Sequence, residues 1–208
     1  MGPSSGLRTA YRILRNEGLR ALGIHLLEKS FYRRMHFLEL PLSPEPIAVP
    51  DAGEQQIEFL HPAAVNDYLM LRRQADRGEI LERFGQGHRC IIARHEGDIV
   101  HACWVGYGRV RIDYLSVEIR LGSDEAYVYD AYTAPEWRGR NLTMLRRAFL
   151  SRHMSISGIR KLIAVVVPEN RPAVKAVLKG GYRRTGTLAC FRLGRWRHVF
   201  HIRAPPLR

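Results

Sequence analysis

The sequence predicts a mixed α/β domain, with a mostly antiparallel central sheet and helices on both faces, behind an N-terminal helical extension. Three observations predict it. Short strand-like runs alternate with helical stretches from residue 55 onward, the order expected of a sheet covered by helices. KLIAVVV, residues 161–167, is an unbroken apolar run of the kind a doubly covered central strand needs. Finally, PLSPEPIAVP, residues 41–50, has four prolines in ten positions and separates residues 1–50 from a domain spanning 51–208.

The elements follow in order. Residues 7–40 read as helical, because Leu7, Tyr11, Leu14, Leu22, Leu26 and Leu27 recur at helical steps with arginines between them. Gly18 and Gly23 divide that stretch into two short helices. After the proline linker, QIEFL is a strand, and Pro62 opens a helix running through Leu69 and Leu71 to about Arg77. RCIIARHEGDIVHACWVGYG is a hairpin turning at Glu96-Gly97-Asp98. IDYLSVEIRL is strand-like, and Gly122-Ser123-Asp124 turns the chain into AYVYDAYT. The 139–153 segment is an amphipathic helix with Leu142, Leu145 and Phe149 on its apolar face and Arg146, Arg147 and Arg152 largely elsewhere. Asn170 and Pro172 open a further helix that Gly180-Gly181 ends, and two strand-like runs, YRRTGTLACFRL and WRHVFHIR, follow.

Composition narrows the function classes. The formal net charge is +13, and no acidic residue follows Glu169 while ten arginines and lysines do. A field of that sign favours an anionic ligand. Cys90, Cys103 and Cys190 are odd in number, widely spaced and set among apolar neighbours, which predicts buried thiols in a reducing compartment, hence the cytoplasm. No run is long enough for a membrane span, and no secretory signal is expected. Gly6 stands where a myristoylation signal needs Ser or Thr. His198 and His201 lie three apart on a strand, so on opposite faces, and no metal site is expected.

The chemistry concentrates in AYVYDAYTAPEWRGRNLTMLRRAFL, residues 126–150. A strand, a loop and a helix start leave helix-terminal amides without intrahelical partners at the positive end of the dipole, which suits a phosphate. Gly139 permits close backbone approach, Arg138 and Arg140 add charge, and Thr143 offers a hydroxyl. Together with ENRPAVKAVLKGGY, this stretch resembles the GNAT superfamily of acyl-CoA-dependent N-acyltransferases. That family's pyrophosphate loop, Gln/Arg-x-x-Gly-x-Gly/Ala, matches Arg138, Gly139, Arg140, Asn141, Leu142 and Thr143. Its later Asn-x-Pro-Ala helix and Gly-aromatic ending match Asn170, Pro172, Ala173, Gly181 and Tyr182. The resemblance covers about residues 55–193. Asn141 and Thr143 depart from it where small residues are usual, and Val177 stands where the family often has a tyrosine acid.

The resemblance implies a GNAT-like fold and transfer of an acetyl or other acyl group from acyl-CoA to a primary amine, without a metal. It places acyl-CoA on the 138–143 loop, on Ala131, Tyr132 and Thr133 of the preceding strand and on Asn170. A backbone amide of residues 129–133 would serve the thioester oxygen. For the base, the strands offer Asp130, Glu118 and Tyr129, beside Tyr132. Asp130 reads equally as a base or as the ion-pair partner of an arginine. Glu118, in an alternating strand, reads as an outward carboxylate before it reads as a base. The tyrosines line an acceptor cleft or pack the core. The basic surroundings suggest an anionic amine acceptor. The competing expectations are a GNAT-like protein that binds CoA without turnover, and a basic protein binding nucleic acid or a membrane surface through residues 7–40; no zinc-finger or RNA-recognition signature supports nucleic acid.

Overall fold

A computed structural model describes residues 32–42, 54–193 and 196–203. Eight strands form one sheet: β1 (Tyr32–Pro41), β2 (Gln56–Phe59), β3 (Arg89–His95), β4 (Asp98–Gly106), β7 (Glu125–Thr133), β8 (Lys161–Val166), β9 (Arg183–Leu193) and β10 (Trp196–Arg203), in spatial order β10-β9-β1-β8-β7-β4-β3-β2. β5 (Arg109–Ile112) and β6 (Val117–Arg120) make a separate two-stranded ribbon. The helices are α1 (Val65–Leu71), α2 (Arg77–Gly85), α3 (Leu142–Ile156) and α4 (Arg171–Lys179). All pairings in the large sheet are antiparallel except β7 with β8, which α3 connects, as a parallel pair requires.

Local rules explain most of these elements. The β3–β4 turn holds Glu96 and Gly97 at φ 50° and 90°, the doubly left-handed geometry that closes a two-residue hairpin. Asp76 caps α2 by accepting from the Glu79 amide at 2.9 Å. Asn170 caps α4 by accepting from Ala173 at 3.2 Å, with Pro172 inside the first turn.

The structure corrects the sequence reading in three places. Residues 32–41 form a strand, not the end of a helix, and β1 sits inside the sheet between β8 and β9. Its Leu38 and Leu40 bury on one face while Met35 and Phe37 pack on the other. Two-sided pairing therefore overrides the helix preference of Leu, Met, Glu and Arg. The remainder of the expected helical extension, residues 7–31, lies outside the described residues, as does the linker beyond Leu42. A membrane-surface helix over 32–40 is accordingly ruled out. IDYLSVEIRL is not one strand: the turn at residues 113–116 folds it into the β5–β6 ribbon. And a second helix, α2, follows where the sequence reading ends its one helix at about Arg77.

One face of the sheet presents Leu38, Leu40, Cys103, Val105, Leu162 and Ala164 to Leu150 and Met154 of α3, with Val174 and Val177 of α4 alongside. The opposite face presents Cys90, Ile92, Ala102 and Trp104 to Val65, Tyr68 and Ile80 of α1 and α2. On that same side Val110, Ile112 and Val117 of the ribbon cover Tyr127, Ile163 and Leu188. Each fully buried side chain of this kind contributes roughly 1.5–3 kcal/mol. Cys90, Cys103 and Cys190 are free and buried, as expected. No helix among the described residues is long and apolar enough to cross a membrane.

Candidate active site

The site begins where two parallel strands part. β7 and β8 pair only at Glu125–Lys161, Ala126–Leu162 and Tyr127–Ile163, although β8 continues to Val166. Lys161 pins the closed end: its Nζ lies 2.7 Å from Glu125 and 3.8 Å from Glu39, tying β8 to both neighbours. The Gly122 amide and then Lys161 hold the Glu125 carboxyl below its ordinary pKa. Beyond Tyr127 a β-bulge turns β7 away. Ala102 faces Tyr132 and Trp104 faces Tyr129, so β7 carries one residue more than β4 across the same span. Asp130 absorbs the extra residue at φ 47°, a left-handed position that Asp tolerates better than most. The result is a V-shaped opening with one edge of β7 free of β8.

β7 leads into the loop. Pro135–Trp137 form one 3-10 turn, Gly139 adopts φ 82°, and Asn141 caps α3 from φ 58°. A Cβ on Gly139 would meet nothing within 4 Å, so glycine is required by the backbone angle and not by crowding. Asn141 makes no side-chain cap hydrogen bond; its Oδ1 accepts from Lys179 Nζ at 2.8 Å, joining the loop to the end of α4. Asparagine is therefore at home at the position where the sequence pattern raised a conflict, because it visits the left-handed region readily. The first amides of α3 have no intrahelical acceptor and face outward at the positive end of the helix. Arg138 Nε donates to the Thr133 carbonyl at 3.3 Å, and the Arg140 guanidinium stacks 4.3 Å from the Trp137 ring.

On the α1–α2 side two cavities share a wall. Asp130 accepts from Arg72 Nη2 at 3.0 Å with one oxygen and from Arg83 Nη1 at 2.8 Å with the other. These three residues line both a cavity of about 1030 Å³ and one of about 370 Å³. The smaller lies at the mouth of the V, among Tyr127, Tyr129, Val165 and residues 111–114 of the ribbon turn. Tyr129 OH is 2.6 Å from His88 Nδ1. Burial first, and Arg83 second, lower the His88 pKa, which keeps the ring neutral at neutral pH. Burial raises the Tyr129 hydroxyl in turn. His88 is held tightly, since a Cβ on Gly106 would lie 3.1 Å from its Cε1.

On the α3 side a buried polar chain ends at the same strand. Arg146 Nη1 is 3.4 Å from His101 Nε2, and His101 Nδ1 is 2.7 Å from Thr133 Oγ1. A guanidinium can only donate, so Nε2 accepts and the Nδ1 proton points at Thr133. Burial, reinforced by Arg146, lowers the His101 pKa to about 3.

Among the residues singled out in the sequence, Asp130, Tyr129 and Tyr132 meet at the V, with the Arg72 guanidinium 4.6 Å from the Tyr132 ring. Ala131 and Thr133 lie on its free edge, and Arg138, Gly139, Arg140, Asn141, Leu142 and Thr143 form the loop and helix start. Leu142 itself is buried against Val100 and Leu145, so only its backbone can serve a ligand. The Asn170 side-chain oxygen is committed to the α4 cap. Glu118 stands apart, on the exposed ribbon 3.8 Å from Arg109 and outside the lining of either cavity. Sequence reasoning missed His88, His101, Arg72 and Arg83, none of which belongs to a spaced motif. It also set Arg146 on the wrong face: the residue is buried.

This architecture is the GNAT fold. The chain superposes with a TM-score of 0.58 on a GCN5-related N-acetyltransferase from Sphaerobacter thermophilus, at 15% identity over 88% of this chain and 57% of that one. It also superposes on the aminoglycoside N-acetyltransferase AAC(6')-Iy in complex with a CoA-linked acetylneamine bisubstrate analogue, with a TM-score of 0.54 at 15% identity over 70% and 99% of the two chains. A Drosophila protein gives 0.51 at 16% identity over 85% and 56%. The chain thus spans less than three-fifths of the Drosophila and Sphaerobacter structures. By sequence, no family model and no curated protein matches.

Proposed function

We propose that this protein is an acyl-CoA-dependent N-acyltransferase that moves an acyl group, most simply acetyl, to a primary amine. The observation that carries the reading is the V between β7 and β8, whose free edge runs directly into a helix N-terminus flanked by Arg138 and Arg140. On this reading the CoA pyrophosphate meets the amides of residues 139–143. The pantetheine lies along Ala131–Thr133 like an added strand, and a backbone amide of residues 129–133 donates to the thioester oxygen.

The amine enters through the smaller cavity on the opposite face and attacks the carbonyl carbon. Tyr129, lining that cavity, takes the proton released by the nitrogen while passing its own to His88 Nδ1. Asp130 is a poor base in this arrangement, because a guanidinium occupies each of its oxygens. We assign it to fixing Arg72 and Arg83 in the wall, and we leave Glu118 out of the site. The smaller cavity is lined by Arg72, Arg83 and Arg111 against Asp113 and Asp130, an excess of positive charge that favours an amine also bearing an anionic group.

Thermal unfolding with millimolar CoA or acetyl-CoA tests the reading. Ligand at 100 times its Kd adds about 2.7 kcal/mol, a rise of several degrees for a domain of this size. No rise with either compound would remove the reading; a rise without thiol release against a panel of amines would leave a CoA-binding protein only. Asn141→Gly is expected to change stability by less than about 1 kcal/mol and CoA affinity by less than about threefold, since both residues accept the left-handed angle. Calorimetric titration of the two proteins checks it. A large loss of affinity would show that the asparagine side chain itself holds the ligand.

A further inference from the structure

Arg146 is a buried guanidinium with no counter-charge among the described residues. It is 5% exposed, its Nε has no hydrogen-bond partner, and no carboxylate among the described residues pairs with it. Removing such a charge from water costs more than a few neutral hydrogen bonds return. Sites that carry this cost are candidates for function when an anion is formed or bound beside them.

The place of Arg146 says which anion. It projects from the second turn of α3 over the bulged half of β7. It reaches His101, which pairs with Thr133, and lies within electrostatic reach of Cys103, whose thiol donates to the Tyr129 carbonyl at 3.6 Å. Tyr182, which follows α4, lies within its electrostatic reach. The guanidinium therefore lies at β4, beside the stretch of β7 that has no β8 partner, on the face opposite Arg72 and Arg83. Val177 on α4 packs into the apolar cluster there and supplies no proton.

We infer that Arg146 provides the fixed positive charge against which the CoA sulfur leaves. The inference rests on the acyltransferase reading. In the step, the C–N bond forms and the C–S bond breaks. The electron pair of the latter goes to sulfur, and the amine proton leaves by Tyr129 and His88 to water. The thiolate stays beside Arg146 until solvent protonates it.

The test titrates the thiol of bound CoA by its thiolate absorbance, with S-methyl-CoA as the blank, in wild type, Arg146→Met and Arg146→Lys. In wild type the bound thiol is expected to titrate about one pH unit or more below free CoA, and in Arg146→Met to match free CoA. Arg146→Lys keeps the charge and should keep most of the shift. Arg146→Met should unfold no earlier than wild type on heating, because it removes an unpaired buried charge; a purely structural arginine would give a marked fall. Equal thiol titration in wild type and Arg146→Met overturns the inference. So does a matched loss of affinity for CoA and for ADP in Arg146→Met, which would assign Arg146 to the phosphates. If Arg146→Met does not fold, a bound thiol in Arg146→Lys that titrates like free CoA overturns it. Wild type that binds no CoA takes down the acyltransferase reading with it, whereas bound CoA with an ordinary thiol removes this inference alone.

Discussion

Acidification from pH 7 to pH 4 is expected to remove about 3 kcal/mol of folding stability through His101 alone. Its imidazole titrates near 3 in the folded chain, against 6.5 for the unfolded one, because it is buried and faces Arg146. The depressed folded value means that the unfolded state binds the extra proton. Stability is therefore full above pH 6.5 and declines as pH falls from 6.5 towards 3. His36 and His88 are shifted in the same direction and add to the slope below 6.5. Glu125, also lowered, contributes only below its ordinary value of 4.5. Urea unfolding at a series of pH values checks this, with His101→Gln as the comparison. The glutamine variant should lose most of the slope between pH 6.5 and 4.5, and a slope unchanged by it would show that Thr133, His101 and Arg146 do not share a dry environment.

Tyr129→Phe is expected to lower kcat for acyl transfer about 100-fold with little effect on KM for acyl-CoA, the scale of a lost proton-transfer partner. His88→Asn should do the same, and the double variant should be little worse than either alone, because the two act as one unit. In wild type the rate should fall as pH drops below 6.5 and His88 gains a proton, since its pKa is held below the ordinary value. Tyr129→Phe should lose that inflection. Full activity in both single variants would place the proton path elsewhere and leave the Tyr129–His88 contact as packing.

The parts of this molecule governed by neighbours in sequence were legible before the fold was known. The Glu96-Gly97 turn, the Pro172 helix start and the unbroken apolar run of β8 each follow from local backbone or burial rules, and so did the strand–loop–helix that forms the candidate cofactor cradle. What stayed hidden depends on distant partners. Asp130 finds Arg72 and Arg83 across 58 and 47 residues, and no spacing rule announces such a trio. Arg146 looked like a solvent-facing residue of an amphipathic helix because arginine seldom buries unpaired. It is inside, with its Nη1 3.4 Å from His101 Nε2, a partner 45 residues away in sequence. β1 reads as helix in the sequence because its composition favours helix and its two partners lie more than a hundred residues downstream.

That last separation bears on how the chain is made. Phe37 must wait for Val165 and then for Gly186 before its strand has neighbours on both edges. At 5–20 residues per second on a ribosome, the interval is on the order of 10 s. During it a strand with apolar side chains on both faces stands without its sheet, a natural client for a chaperone. Among the described strands β1 is translated first and is among the last completed, because its second partner, β9, is followed only by β10.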